Sequence, residues 1–399
     1  MGRRRRGVRG LAVCLVIAPL LGSILLTAPP AAATSSGTGQ WTWSNVSRSI
    51  APPEAAGTMM AYDGVQDRFV FFGGWNGRTL NQTWEFDPTQ ASWTELQPPL
   101  APVSRADGTL VFDPVDEQFV LFGGWTEYAD GTDHRLNDTW TFSLTTDRWT
   151  ELLPSLAPSP RSDSGALFST VTDLEYLYGG FSGTSYLADA WTFDPATVTW
   201  TPLAPSAPSP GLRADGRMVV DGTPEIGVLF GGNDYSGPNL TFHHLNDTWV
   251  FETGVSSLEW TQLVTSQAPP ARDYAVEAFD PAADSVLLFS GYGNRTILDD
   301  TWSLSSGQWS ELPTLGLPPG RYAGTGGFDV DDGELVIVGG LGNAGLLNDT
   351  WTLAESAAVA PTSGAGSSWP VVAAFGVAGL GGLVVAVRIR STRERAGAA

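Results

Sequence analysis

Cysteine is nearly absent from this sequence: Cys14 is the only one in 399 residues. That excludes a disulfide framework and every multi-cysteine zinc or iron–sulfur site. Lysine is missing altogether, so all 21 basic residues are arginine, and histidine is down to three. Positive charge is scarce against 42 acids, giving a net charge of −21. Such a balance excludes nucleic-acid binding through a basic surface. Long helical stretches have little room either, because 47 Gly and 28 Pro favour short strands and many turns. What is present is core material: 42% apolar residues and 16 Trp, which rules out a chain that is disordered throughout.

The two ends read as targeting segments. Arg3 to Arg6 and Arg9 form a basic start, an apolar stretch runs from Leu11 to Leu26, and Ala31-Ala32-Ala33 offers a small-residue cleavage site. Residues 1–33 are therefore expected to be a secretory signal peptide. At the other end, 354–368 is a linker of Ala, Ser, Gly, Pro and similar residues, and Trp369 to Val387 carries no charge. That length suits a single transmembrane helix across about 30 Å of hydrocarbon. Arg388, Arg390, Arg393 and Arg395 follow, the arrangement of a cytoplasmic basic tail over 388–399. The expected location is the cell membrane, single-pass, with the body 34–353 extracytoplasmic. Set apart from its ends, the body with its linker, 34–368, holds twelve Arg against 41 acids, an acidic surface that stays soluble through self-repulsion.

An internal repeat fills that body. An apolar strand ending in a glycine pair recurs at Gly73-Gly74, Gly123-Gly124, Gly179-Gly180, Gly231-Gly232 and Gly339-Gly340, with Ser290-Gly291 as a sixth copy. The intervals are 50, 56, 52, 59 and 49 residues. A Trp follows each pair (Trp84, Trp140, Trp191, Trp249, Trp302, Trp351), and a second Trp opens a further strand at Trp93, Trp149, Trp200, Trp260 and Trp309. After Trp351 that second strand is missing, while Trp41-Thr42-Trp43 stands spare at the N-terminus. The six repeats are complete only if the N-terminal strand finishes the last one, which a ring requires and an open array does not. The expectation is an all-β, six-bladed β-propeller of four-stranded blades, its N-terminal strand closing the last blade.

The glycine pair, the two Trp positions, the spacing and the arginine after proline (Arg105, Arg161, Arg213, Arg272, Arg321) together closely resemble the kelch repeat. The resemblance covers about Trp41 to Leu353; the first repeat departs from it, with Pro53-Glu54 in the arginine's place. It implies that the first strand of each repeat lies innermost.

Tracing one blade separates two faces. The upper carries the loops between blades and the b–c loops; the lower carries the a–b and c–d turns. The five arginines lie where inner strands begin, so they are candidates to ring the channel mouth. The b–c loops of blades two and four are the long ones, and they hold all three histidines (His134, His243, His244) with Trp125, Tyr128, Tyr235 and Phe242. Loop tips on a rigid scaffold suit recognition, so these twelve residues form the candidate binding set for a protein or glycan. Acidic turns such as Asp113 to Glu117 and Asp329 to Glu334 are expected to be solvated on the lower face.

No catalytic residue, metal site or cofactor is assigned. Copper-radical oxidases on a similar fold need a cysteine crosslinked to tyrosine, and the body has none. The expected function is a cell-surface binding module presenting its upper loops outward. The alternatives are a carbohydrate-active enzyme using the channel and a structural envelope protein.

Overall fold

In a computed structural model of the chain, the described residues are 39–356 apart from 129–130, 205–206, 223–225, 237–240 and 254–257. All belong to the first of two compact units, which ends at Ala358. The signal peptide expected over 1–33 and the transmembrane helix and basic tail over 369–399 lie outside the described residues, as does most of the linker.

Among the described residues there are strands and turns and no helix. Five blades are consecutive antiparallel four-stranded sheets. The first consists of Met59–Asp63, Arg68–Phe72, Thr83–Asp87 and Ser92–Leu96, called strands a to d. In the sixth, Thr325–Asp329, Glu334–Gly342 and Gly345–Ser356 supply strands a to c, and Gln40–Asn45 pairs antiparallel with Gly345–Ser356 as strand d. The ring thus closes as the spare N-terminal Trp strand required. Each strand a packs beside strand a of the next blade, and the sixth meets the first, so these strands line the central channel.

Strand b reads as an unbroken apolar run because both its faces are covered by neighbouring blades. Phe69, Val70, Phe71 and Phe72 are all within 2% of complete burial. The core is accordingly not one mass but a set of wedges between sheets. One wedge packs Val70 and Phe72 of the first blade against Phe119, Leu121, Phe142 and Trp149 of the second. Fully burying each such side chain contributes about 1.5–3 kcal/mol.

The tryptophans add a directional tie across those wedges. The strand-d indole of each of five blades donates to a threonine that precedes the strand-c Trp of the previous blade. These are Trp149 to Thr83 (3.0 Å), Trp200 to Thr139 (3.0 Å), Trp309 to Thr248 (2.8 Å), Trp93 to Thr350 (2.9 Å) and Trp43 to Thr301 (3.4 Å). The last two flank the closure, tying the N-terminal strand's blade to both neighbours.

On the lower face the acidic turns are divided: Asp116, Glu117, Asp284, Asp331 and Asp332 are exposed as expected, but the leading aspartates Asp63, Asp113, Asp280 and Asp329 are buried, not solvated. Each buried carboxylate accepts the amide N–H groups two and three residues on, as when Asp113 Oδ1 accepts from Val115 (2.9 Å) and Asp116 (3.2 Å). A short side chain that caps its own turn leaves no orphan amide there.

Candidate functional site

The upper face is organised by the arginine that precedes each inner strand. In blades two to six its guanidinium is at most 2% exposed. It forms a two-toothed pair with the aspartate two residues ahead of the strand-c Trp in the same blade. The pairs are Arg105–Asp138, Arg161–Asp189, Arg213–Asp247, Arg272–Asp300 and Arg321–Asp349, with shortest contacts of 2.6–2.8 Å. The same guanidinium donates to the carbonyl of the glycine-pair position, Gly123 for Arg105 at 2.9 Å and Gly339 for Arg321 at 3.0 Å. The Trp indole then completes the aspartate's shell, as Trp140 does for Asp138 at 2.7 Å. Burial alone would raise the Asp138, Asp189 and Asp300 carboxyls, but the arginine and indole bonds outweigh it and hold all three below the usual range. The candidate ring of arginines is therefore turned inward. These guanidiniums are committed to their own blade and present no free face at the mouth.

The arginine's backbone explains the glycines. Its carbonyl accepts the amide of the second glycine in the preceding blade, Gly74 to Arg105 at 2.8 Å. The first glycine, Gly73, sits at φ +67°, where a Cβ would stand 2.5 Å from that carbonyl; only glycine permits the approach without strain.

What does line the mouth is the residue two places after each arginine: Asp107, Asp163, Asp215 and Tyr274, with Ala323 and Gly57 in the remaining blades. All six have positive φ, between 52° and 64°. Their backbones form a relay, Asp163 N–H to Asp107 O, Asp107 to Gly57 and Gly57 to Ala323, each at 2.8 Å. Three adjacent aspartates thus crowd one rim. The Asn233 amide bridges Asp215 (2.7 Å) and Asp273 (2.9 Å), while the Trp125 indole donates to Asp107 (2.8 Å) and the Tyr274 hydroxyl to Asp163 (3.3 Å). Burial, then the Asp163 charge, pushes Asp107 up to about 7, and burial pushes Asp273 to about 7. Burial and then the Asp163 and Asp273 charges push Asp215 well above the carboxylate range. Deeper in the channel wall, Glu277 is 8% exposed beside Arg217, and neither of its carboxylate oxygens has a hydrogen-bond partner.

The two long loops are short hairpins. In blade two Trp125–Glu127 pairs with Asp133–Arg135, and in blade four Asn233–Ser236 pairs with Thr241–His244. Tyr128, Tyr235 and Phe242 stand 43–52% exposed on them. The hairpins are linked through blade three: Arg135 lies over Phe181 (5.3 Å), Phe181 meets Tyr186, and Tyr186 meets Tyr235. The chain of rings runs on through Phe242, His244, Tyr292 and Tyr322 to Tyr274. It forms an aromatic arc beside the acidic mouth. His134 is exposed against Tyr128, and His243 contacts Asp234 at 3.2 Å. His244 is the half-buried one, its Nδ1 3.3 Å from Asp273, and desolvation lowers its pKa. Among the described residues no group of three or more His, Asp or Glu side chains is arranged to hold a metal ion.

The sequence expectation includes Trp125, Tyr128, Tyr235, Phe242 and the three histidines of this rim but not Phe181, Tyr186, Tyr292 and Tyr322 of the arc, nor Asp107, Asp163, Asp215, Asp273 and Tyr274 of the mouth. The signal was available as Arg105-Ala106-Asp107, Arg161-Ser162-Asp163 and Arg213-Ala214-Asp215 in three successive repeats.

Comparison with known proteins agrees with this architecture. Among solved structures, the one described as "Structure of YjhT" superposes with a TM-score of 0.59 at 19% identity, over 75% of this chain and 95% of that one. Residues 99–265 match the family model for the KLHDC2/KLHL20/DRC7 Kelch-repeats domain. The Arg–Asp pairs of blades five and six and the paired tryptophans of the remaining blades continue the pattern of that stretch, so the described residues form a six-bladed β-propeller whose residues 99–265 match a kelch-repeats domain.

Proposed function

We propose that this propeller is an extracytoplasmic protein-binding module, held at the cell membrane by 369–387, that recognises its partner with the upper face. Kelch propellers are in general protein-interaction modules, and the observation that carries the reading here is the aromatic arc. Tyr128, Tyr235 and Phe242 are left at 43–52% exposure on hairpins whose backbones are paired and whose rings are braced by neighbours. Large rings held in place on a stiff support give contact area at low entropic cost. Leu100, Val103, Leu153, Leu212 and Val264, on the loops between blades, are 47–90% exposed around the same face. The basic start of 1–33 and the uncharged 369–387 followed by arginines support the membrane-tethered, outward-facing placement.

Two measurements test the reading. On intact cells, added protease should degrade the propeller and leave a tagged C-terminus protected. The full chain should retain a partner from envelope extract that is lost when the 125–135 and 233–244 hairpins are replaced by tight turns. Equal retention by both forms would overturn the upper-face reading.

A further inference from the structure

The mouth of the channel concentrates negative charge that is held by neutral donors and not by ion pairs. In blades two to six the aspartates ahead of the strand-c Trp are paired with arginine; among the described residues Asp107, Asp163 and Asp215 have no such salt bridge. Arg217 and Arg135 are the positive groups that bear on Asp107, and Arg217 Nε is already turned to the Ala275 carbonyl at 3.3 Å. Asp273 is the informative member. It is 4% exposed, its Oδ2 is held by the same Asn233 amide that holds Asp215 and stands 3.3 Å from His244 Nδ1, and its Oδ1 has no partner among the described residues. Asp215 Oδ1 is also buried without a partner. Native proteins leave few buried acceptors unmatched, and a group of them asks for a donor from outside.

We infer that the mouth, taken with its aromatic arc, is a receptor for a guanidinium group, presented as an arginine side chain by the protein partner. The carboxylates at Asp163, Asp215 and Asp273 supply acceptors for a planar fork of N–H donors. Beside them the Tyr322 ring lies 5.3 Å from that of Tyr292 and 6.1 Å from that of Tyr274 between centroids, the kind of wall on which a guanidinium stacks. An ammonium ion offers no flat face to that wall. A divalent metal would need three carboxyl or imidazole ligands converging on one point, and no such group occurs among the described residues. In the free protein the crowding is relieved by protons, since burial and mutual repulsion raise Asp107, Asp215 and Asp273. An arriving guanidinium displaces those protons to solvent.

The inference rests on the protein-binding reading, and its test is kept separate from partner capture. The full chain is titrated calorimetrically with N-acetyl-arginine amide and with its neutral isostere N-acetyl-citrulline amide, at pH 6 and pH 8. The arginine probe is expected to bind, to release protons, and to bind about tenfold more tightly at pH 8; the citrulline probe is not. Asp163→Asn and Asp215→Asn should each weaken the arginine probe at least about tenfold, because a neutral amide removes the charge and keeps the shape. Asparagine tolerates the positive φ of both positions, and thermal melts establish that the variants fold. Asp284→Asn, at an exposed lower turn, should leave binding unchanged. Equal binding of both probes, binding indifferent to Asp163 and Asp215, or calcium displacing the arginine probe would overturn the proposal. Arginine-probe binding without any captured partner would keep the mouth site and remove the protein-binding reading. Capture without preference for arginine would do the reverse.

Discussion

Ala55 and Gln82 occupy, in the first blade, the two positions that hold the paired arginine and aspartate in each of the other five. The Ala55 backbone makes the bonds that Arg105 makes in blade two, so Ala55, and not Pro53-Glu54 as the sequence pattern suggests, stands in the arginine's place. The two changes occur together, as the physics of a buried ion pair demands: losing one partner strands the other charge, and losing both is cheap. The consequence is visible in the adjacent indole, since Trp84 Nε1 is buried with no acceptor while its five counterparts each meet an aspartate.

The first prediction follows from that natural double replacement. Arg161→Ala should destabilise the propeller by about 1–3 kcal/mol, because the Gly179 carbonyl loses its buried donor and Asp189, itself 42% exposed, loses its charge partner. Adding Asp189→Gln to it should recover a substantial part of the loss, reproducing the first blade's solution. Denaturant melts of the two single variants and the double variant give the coupling directly. Strict additivity would show that the pair is not what holds this loop.

A second irregularity predicts a gain. Trp260, the strand-d Trp of blade four, shares a core cluster with Ala190, which stands where the other blades place the accepting threonine. Its Nε1 is buried and unpartnered. Ala190→Thr should restore the tie made by the other five and stabilise the fold by about 0.5–1.5 kcal/mol, the net worth of one hydrogen bond. A rise in melting temperature confirms it. A fall would mean that the wedge around Ala190 has no room for the added atoms.

The contrast between these features explains what was legible. Glycine pairs and tryptophans recur at nearly fixed spacing, so blade number, strand identity and the closure by Trp41–Trp43 could be read along the chain. The arginines were equally visible, but their partners lie 28–34 residues away, and only the folded blade shows that Arg213 turns toward Asp247 and not toward the channel. The acidic mouth was harder still. Asp107, Asp163 and Asp215 are unremarkable singly and gain meaning only when three consecutive inner strands set them side by side. The contact of His244 with Asp273 joins two blades and has no local signature at all.

The closure itself can be tested. Trp43 is 3% exposed, packs on Phe289 at 4.6 Å between ring centroids and donates to Thr301. Trp43→Ala should cost about 3–5 kcal/mol from lost burial and the cavity left behind. The cost should concentrate in the fifth and sixth blades, so hydrogen exchange should quicken in 285–305 and 334–356 before it does in blades two and three. Uniform acceleration around the ring would mean that the propeller opens as one unit and not at its seam.

The raised carboxyl groups should give the propeller a stability optimum on the acid side of neutrality. Burial raises Asp107 and Asp273 to about 7 and Glu175, fully buried with one oxygen unpartnered, to about 8. A carboxyl whose folded value is raised holds its proton more tightly folded than unfolded. Its contribution is therefore complete below the unfolded value near 4 and is lost as pH rises toward 7 or 8. The arginine-bound Asp138, Asp189 and Asp300 have the opposite sign, since their folded values are depressed and their contribution fades as pH falls below about 4. Melting temperature should accordingly peak between about pH 4 and 5 and decline toward pH 8. Glu175→Gln isolates one term: it removes a single titrating group on strand b of blade three, where the Thr109 hydroxyl of blade two donates to it, and should flatten that decline without moving the acid limb. An unchanged slope in this variant would assign the decline to the aspartates of the mouth. A flat profile between pH 5 and 8 in the natural protein would show that none of these carboxyls is raised.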